Sequence, residues 1–161
     1  MPPFYWLDSH VLMEAHRRYY SFDIAPGFWS AIEAHTKAGA LRSPRNVLRE
    51  IEESKDELTT WARGEGRDLF VEAAKDEQQA VGDISQYVLD NYPTAEAHAF
   101  LAKADPWVIG HALIDKGIVI TQETKVTSIS KKVKIPNVCD HFKVDWFDTF
   151  ALLKRLKVKL K

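Results

Sequence analysis

Apolar residues occur in two kinds of run along this chain. FYWL at residues 4–7 and IVIT at 118–121 are short, unbroken, and rich in aromatic or β-branched side chains. Each stops at polar residues, DSH in the first case and QET in the second. Such runs predict strands buried on both faces, as in a parallel sheet. Elsewhere the apolar positions recur every three or four residues, the period of a helix with one buried face. Val11, Leu12, Ala15 and Tyr19 follow Ser9 in this way, with Ser9 as the expected N-cap. Phe28, Trp29, Ile32, Ala34 and Ala38 predict a second helix between Pro26-Gly27 and Gly39.

ALRS at 40–43 reads as a short strand. Ser43 is then the expected cap of a helix with Pro44 in its first position, and Val47, Leu48, Ile51 and Leu58 form its buried stripe. Arg67 to Asp90 predicts one or two helices, and further helices begin near Pro93 and at Asp105, the latter closed by Gly117. In the last thirty residues or so the pattern predicts a strand at KVK, a helix from Pro136 to Phe142, a strand in KVDWF and a final helix ending near Leu156. Helices alternating with short buried strands imply an α/β layer fold around a parallel sheet. In such sheets ligands bind beyond the C-terminal ends of the strands.

At 161 residues, 45% hydrophobic and 28% charged, the chain has the make-up of one globular domain spanning 1–161. Its single cysteine, Cys139, excludes an internal disulfide, and no Cys/His spacing of zinc type occurs. With neither a leader-like N-terminus nor an apolar run of membrane length, a soluble cytoplasmic protein is expected. The net charge of −1 hides an asymmetry. Residues 1–124 carry 12 Lys and Arg against 20 Asp and Glu, a balance of −8, whereas residues 125–161 carry 10 against 3, a balance of +7. Lys131, Lys132, Lys134, Lys154, Arg155, Lys157, Lys159 and Lys161 in this basic segment could meet a phosphate backbone, or simply be solvated.

The candidate chemistry lies in carboxylates. Asp8 ends the first strand and Glu123 lies just past IVIT, so both belong to one edge of the sheet. Glu50 and Asp105 sit on helices that could face the same edge. Like charges about 4 Å apart repel by on the order of 4 kcal/mol at an effective dielectric near 20, so four converging acids require a divalent cation. Oxygen donors without a His or Cys cluster favour Mg²⁺ or Mn²⁺, and the chemistry implied is metal-assisted phosphodiester hydrolysis. Ser9 and Thr121 could hydrogen-bond the carboxylates or their waters. Read singly, Asp8 could instead serve a helix dipole, Glu50 a solvated helix face and Asp105 an ordinary N-cap.

Taken together, YWLDSHVLMEAHRRYYSFDIAPGFW, RNVLREIEESKDELTTWA, KADPWVIGHALIDKGIVITQE and KIPNVCDHF resemble the PIN-like proteins of the DUF4411 group, over about residues 4–158. The resemblance implies a three-layer α/β/α PIN-like domain with a central parallel sheet. It further implies a metal-dependent ribonuclease of the kind that serves as the toxin of a prokaryotic toxin–antitoxin pair. Position by position, it makes Asp8 the first acid with Ser9 beside it, Glu50 the second, Asp105 the third and Glu123 the fourth. It implies Mg²⁺ or Mn²⁺ as cofactor, RNA as substrate, a cognate antitoxin inserted across the acidic site, and a homodimer. Two positions depart from the pattern: His10 stands where Asn is common, and Glu123 where many PIN domains have Asp.

Other residues carry weaker signals. The five tryptophans, Trp6, Trp29, Trp61, Trp107 and Trp146, could offer a stacking surface, but their apolar neighbours favour burial with a partner for each indole N–H. Arg17, Arg18, Arg42 and Arg45 could neutralise phosphate or sit in solvent. Cys139 is expected to be a packed thiol, Asp140 an additional acid at most, and His10 a helix residue that could act as a base. Two further classes compete with the nuclease: a catalytically silent module binding RNA or protein, and an aspartyl-phosphate domain. The last has neither a second Asp two residues after Asp8 nor a strand-end Lys to support it.

Overall fold

The protein's computed structural model describes residues 3–161. Five strands form one wholly parallel sheet: β1 (Tyr5–Leu7), β2 (Leu41–Pro44), β3 (Phe70–Val71), β4 (Ile118–Ile120) and β5 (Asp145–Phe147). Their order is β3-β2-β1-β4-β5, so the chain winds outward from β1 on one side and then returns to β1's other side. Leu7, Leu41, Val119 and Ile120 have almost no exposed surface, as strands covered by helices on both faces require. The helices are α1 (Ser9–Glu14), α2 (Pro26–Lys37), α3 (Arg45–Glu52), α4 (Glu57–Arg63), α5 (Lys75–Asn91), α6 (Thr94–Leu101), α7 (Asp105–Asp115), α8 (Ile135–Phe142) and α9 (Thr149–Arg155). They flank the sheet in a three-layer α/β/α arrangement, the expected fold class.

Several local expectations give way to the sheet. Ser43 caps no helix: β2 runs through Pro44, and the Ser43 hydroxyl donates to the Leu7 carbonyl at 2.7 Å, bonding β2 to β1 where the ladder ends. The long helix expected from Pro44 to Arg63 breaks into α3 and α4, with Lys55 in the left-handed conformation and Asp56 capping α4 through the Leu58 and Thr59 amides. Asp8, not Ser9, holds the N-cap position of α1, and that helix continues as a π-helical turn over Ala15–Tyr19. Phe70 and Val71 form an edge strand too short to leave a periodic signal, and KVK at 132–134 forms no strand of the sheet. The strand in KVDWF and the final helix lie where the pattern placed them.

Two close approaches fix the periphery. Gly110 lets α7 press against α5, since a Cβ there would meet the Val81 side chain at 2.7 Å. Gly27, near the start of α2, receives the C-terminal segment: its N–H donates to the Leu160 carbonyl at 3.1 Å, and a Cβ would run into the Lys159–Lys161 backbone. The end of the basic segment is therefore packed on α2. Gly27→Ala is expected to destabilise the protein by about 1–3 kcal/mol, as overpacking does, read as a lower urea midpoint with an unchanged slope. An opposite effect follows at the ends of α7 and α8, which close on Lys116 and Lys143 at φ 57° and 59°. A side chain in that region is strained by about 1 kcal/mol, so Lys143→Gly is expected to raise stability by about 0.5–1 kcal/mol in the same titration.

A buried acidic site at the sheet switch point

The crevice between the C-terminal ends of β1 and β4, where the strand order reverses, is the place where open parallel sheets bind ligands. Tyr5, Trp6 and Leu7 pair in register with Ile118, Val119 and Ile120, which brings Asp8 level with Thr121. The Asp8 amide donates to the Ile120 carbonyl at 3.1 Å, and its carboxylate is wholly buried. Thr121 Oγ1 donates to Asp8 Oδ2 at 3.2 Å and accepts the Glu123 amide at 3.1 Å, so one hydroxyl ties the first acid to the loop carrying the fourth. Ser9 Oγ lies at 3.4 Å from Asp8 Oδ1, a long contact. The β1–β4 ladder thus holds Asp8 rigidly, in an orientation set by hydroxyls.

Asp105 opens α7 and is also buried. Glu50 reaches across from α3, its Oε2 accepting the Ala104 amide at 3.1 Å immediately before Asp105. Glu123 makes the equivalent contact on the other side, its Oε1 accepting the Ile135 amide at 2.8 Å where α8 begins. Two of the four acids are therefore anchored on unpaired amides at helix starts, where carboxylates are favoured. Neither supporting amide could be foreseen, because a backbone N–H leaves no mark in a sequence.

The four acids share one electrostatic environment. Burial pushes the Asp8 carboxyl up to about 6; the positive charge of His10 and the Thr121 hydrogen bond oppose this, and the charges of Glu123 and Glu50 add to it. For Asp105, burial together with the charges of Asp8, Glu123 and Glu50 raises the carboxyl to about 8, with only Lys103 drawing it down. Among the described residues none of the four makes an ion pair. An acid so placed without a cation destabilises the fold when it ionises. Among the described residues no group of three or more His, Cys, Asp or Glu side chains stands where it could hold a metal ion by itself. A donor set for Mg²⁺ does not need one, since that ion typically takes one or two carboxylates and completes its shell with water and phosphate oxygens.

The remaining candidates are placed elsewhere or are otherwise engaged. His10 is exposed on α1, close enough for its charge to act on Asp8. Arg17 bonds Ser54, Arg42 lies over the Phe4 ring, and Arg45 pairs with Glu72, so these three are held by protein partners. Trp6, Trp29 and Trp61 are buried, with their indole N–H groups on Asp115, the Tyr20 carbonyl and Glu33. Asp140 is not an additional acid of the cluster: Lys125 at 2.7 Å and the Trp146 indole occupy it. Cys139 is a packed thiol whose burial pushes its ionisation up, as expected. Gln122, passed over in the sequence, accepts both the amide and the hydroxyl of Thr149 and so fastens α9 beside the site.

A search of curated proteins finds no significant match to the chain. The model of one family, described as a domain of unknown function (DUF4411), matches residues 5–160. That span holds all five strands and all four acids, and the chain belongs to the DUF4411 family.

Proposed function

We propose that the protein is a PIN-like, metal-dependent endoribonuclease and the toxin of a toxin–antitoxin pair. The observation that carries this reading is the convergence of two buried acids, Asp8 and Asp105, with Glu50 and Glu123 acting on both and, among the described residues, no ion pair to any of them. A fold retains so unfavourable a group of charges where a bound cation offsets it. The parallel α/β/α sheet and the order of the sequence motifs support the PIN-like assignment. The all-oxygen donor set fits Mg²⁺ or Mn²⁺, with Asp8 and Asp105 as the two carboxylate ligands and Glu50 and Glu123 holding waters of the ion's shell.

When bound, such an ion activates a water and neutralises charge on the scissile phosphate. The residues of the chain supply the geometry. Thr121 and Ser9 orient the Asp8 carboxylate, Glu50 fixes the start of α7 and with it Asp105, and Glu123 joins the end of β4 to α8. The partners of this reading are an RNA substrate, a cognate antitoxin and a second copy of the chain. No helix among the described residues is long and apolar enough to cross a membrane.

A second reading, a catalytically silent binding module, is favoured by one observation: Glu50 and Glu123 already serve backbone amides and could be structural caps alone. The experiment that separates the two is cleavage of a panel of single-stranded and structured RNAs with Mg²⁺ or Mn²⁺. The nuclease reading expects Asp8→Asn to lose at least a hundredfold in rate, the loss on the scale of removing one preorganised electrostatic group. Equal cleavage by the two proteins sinks it.

A further inference from the structure

A pocket of about 280 Å³ lies where the C-terminal end of α5, the start of α6 and the 126–132 loop meet. That loop belongs to the connection leaving Glu123 and returning at Ile135, the two residues joined by the Glu123 hydrogen bond, so it begins and ends at Glu123. It is also fastened near its start. Asn137, in the first turn of α8, donates to the Val126 carbonyl at 2.8 Å and accepts the Val126 amide at 3.0 Å. The pocket wall is therefore fixed backbone at Val126, three residues after Glu123.

Its lining combines three chemistries. Lys131 and Lys132 supply positive charge and, among the described residues, neither is in an ion pair. Thr127, Ser128 and Ser130 supply hydroxyls, and no acidic side chain lines the cavity. Tyr87 and Tyr92 supply aromatic surface. Tyr87 is stacked on His141 at 3.7 Å, whereas Tyr92, half-buried and edge to face with Tyr87, is among the described residues the lining ring with no stacked partner. Lysines and hydroxyls are donors for a phosphate, and an aromatic face takes a base without regard to its identity.

We propose that this pocket seats one nucleotide of a single-stranded RNA, its phosphate on Lys131 and Lys132 and its base against Tyr92, flanking the phosphodiester held at the acids. The proposal rests on the reading of the chain as an RNA nuclease, and it assigns the loop's lysines a role that those of the packed C-terminal end lack. A duplex could not enter so small a cavity with its bases stacked, so single strands are preferred.

The test is the affinity of the full chain for a fluorescein-labelled single-stranded RNA 12-mer, measured by anisotropy in EDTA across a salt series. Lys131→Ala with Lys132→Ala is expected to weaken binding at least tenfold near 0.1 M salt and to lower the slope of log affinity against log salt by about 1.4, the value for two phosphate contacts on a single strand. Tyr92→Ala is expected to weaken binding about five- to a hundredfold, the range for loss of one base–aromatic stack. Tyr92→Phe, which keeps the ring, should bind within twofold of wild type, and thermal melting confirms that each variant is folded. The pocket is overturned if Lys157→Ala with Lys159→Ala weakens binding as much as the loop pair, or if Tyr92→Ala binds like wild type. Because binding is read without metal, the two readings fail separately. RNA bound through the pocket but never cleaved with Mn²⁺ refutes the nuclease alone, whereas Asp8-dependent cleavage with binding indifferent to the pocket variants refutes the pocket alone.

Discussion

Asp105→Asn is expected to make the metal-free protein more stable at pH 8, by on the order of 3 kcal/mol. Burial and three neighbouring carboxylates hold the Asp105 carboxyl up at about 8, against an ordinary value of 3.8 in the unfolded chain. Between those two values the folded protein keeps a proton that the unfolded chain has released. The native state thus binds more protons across this window, and stability falls as pH rises through it. Below 3.8 both states are protonated and the residue contributes no penalty. Asn is neutral at every pH, so it removes the penalty at pH 8, less the part lost by burying an amide whose donors need partners. The gain corresponds to about 6–12 °C in melting temperature for a domain of this size. Melting in EDTA at pH 6 and pH 8 checks it: wild type should melt lower at pH 8, and Asp105→Asn should flatten most of that difference. A variant that melts below wild type at pH 8 would show that the carboxylate is a stabilising group and not a strained one.

Much of this site can be read from residue order because strands and helix starts leave local signals. Asp8 and Glu123 are visible as acids at the ends of apolar runs, and a parallel pair of strands necessarily delivers both to one edge. Asp105 is legible as an acid before Pro106 at a helix start. Glu50 is different. Nothing local separates it from Glu52 or Glu53, and only the packing of α3 against the start of α7 selects it, through the Ala104 amide. For that residue the family resemblance carried information that periodicity could not. The short edge strand at Phe70–Val71 and the division of α3 from α4 were hidden for a related reason: sheet pairing and a left-handed Lys55 override helical pattern over a few residues. The basic segment was legible in composition but not in placement, since its end packs on α2 while the 126–132 loop lines a pocket with the end of α5.

Mn²⁺ is expected to reverse the instability that the acids impose. An ion that binds only the folded protein stabilises it by about 2.7 kcal/mol at a hundred times its dissociation constant, and the melting temperature of wild type should climb accordingly through a titration. Protons compete for the same carboxylates, and Asp8 and Asp105 are raised to about 6 and 8, so the rise should be small at pH 6 and large at pH 8. Asp8→Asn and Asp105→Asn each remove a proposed ligand and should abolish most of the rise, with Asp105→Asn expected to start from a more stable protein. Glu50→Gln separates the two roles open to that residue. An amide oxygen still accepts the Ala104 N–H, so a purely structural cap predicts an unchanged Mn²⁺ response, whereas a charge that helps hold the ion predicts a weaker one. A wild-type protein whose melting temperature is indifferent to Mn²⁺ at pH 8 would overturn the metal-dependent nuclease, because acids that attract no cation can hydrolyse no phosphodiester by this route.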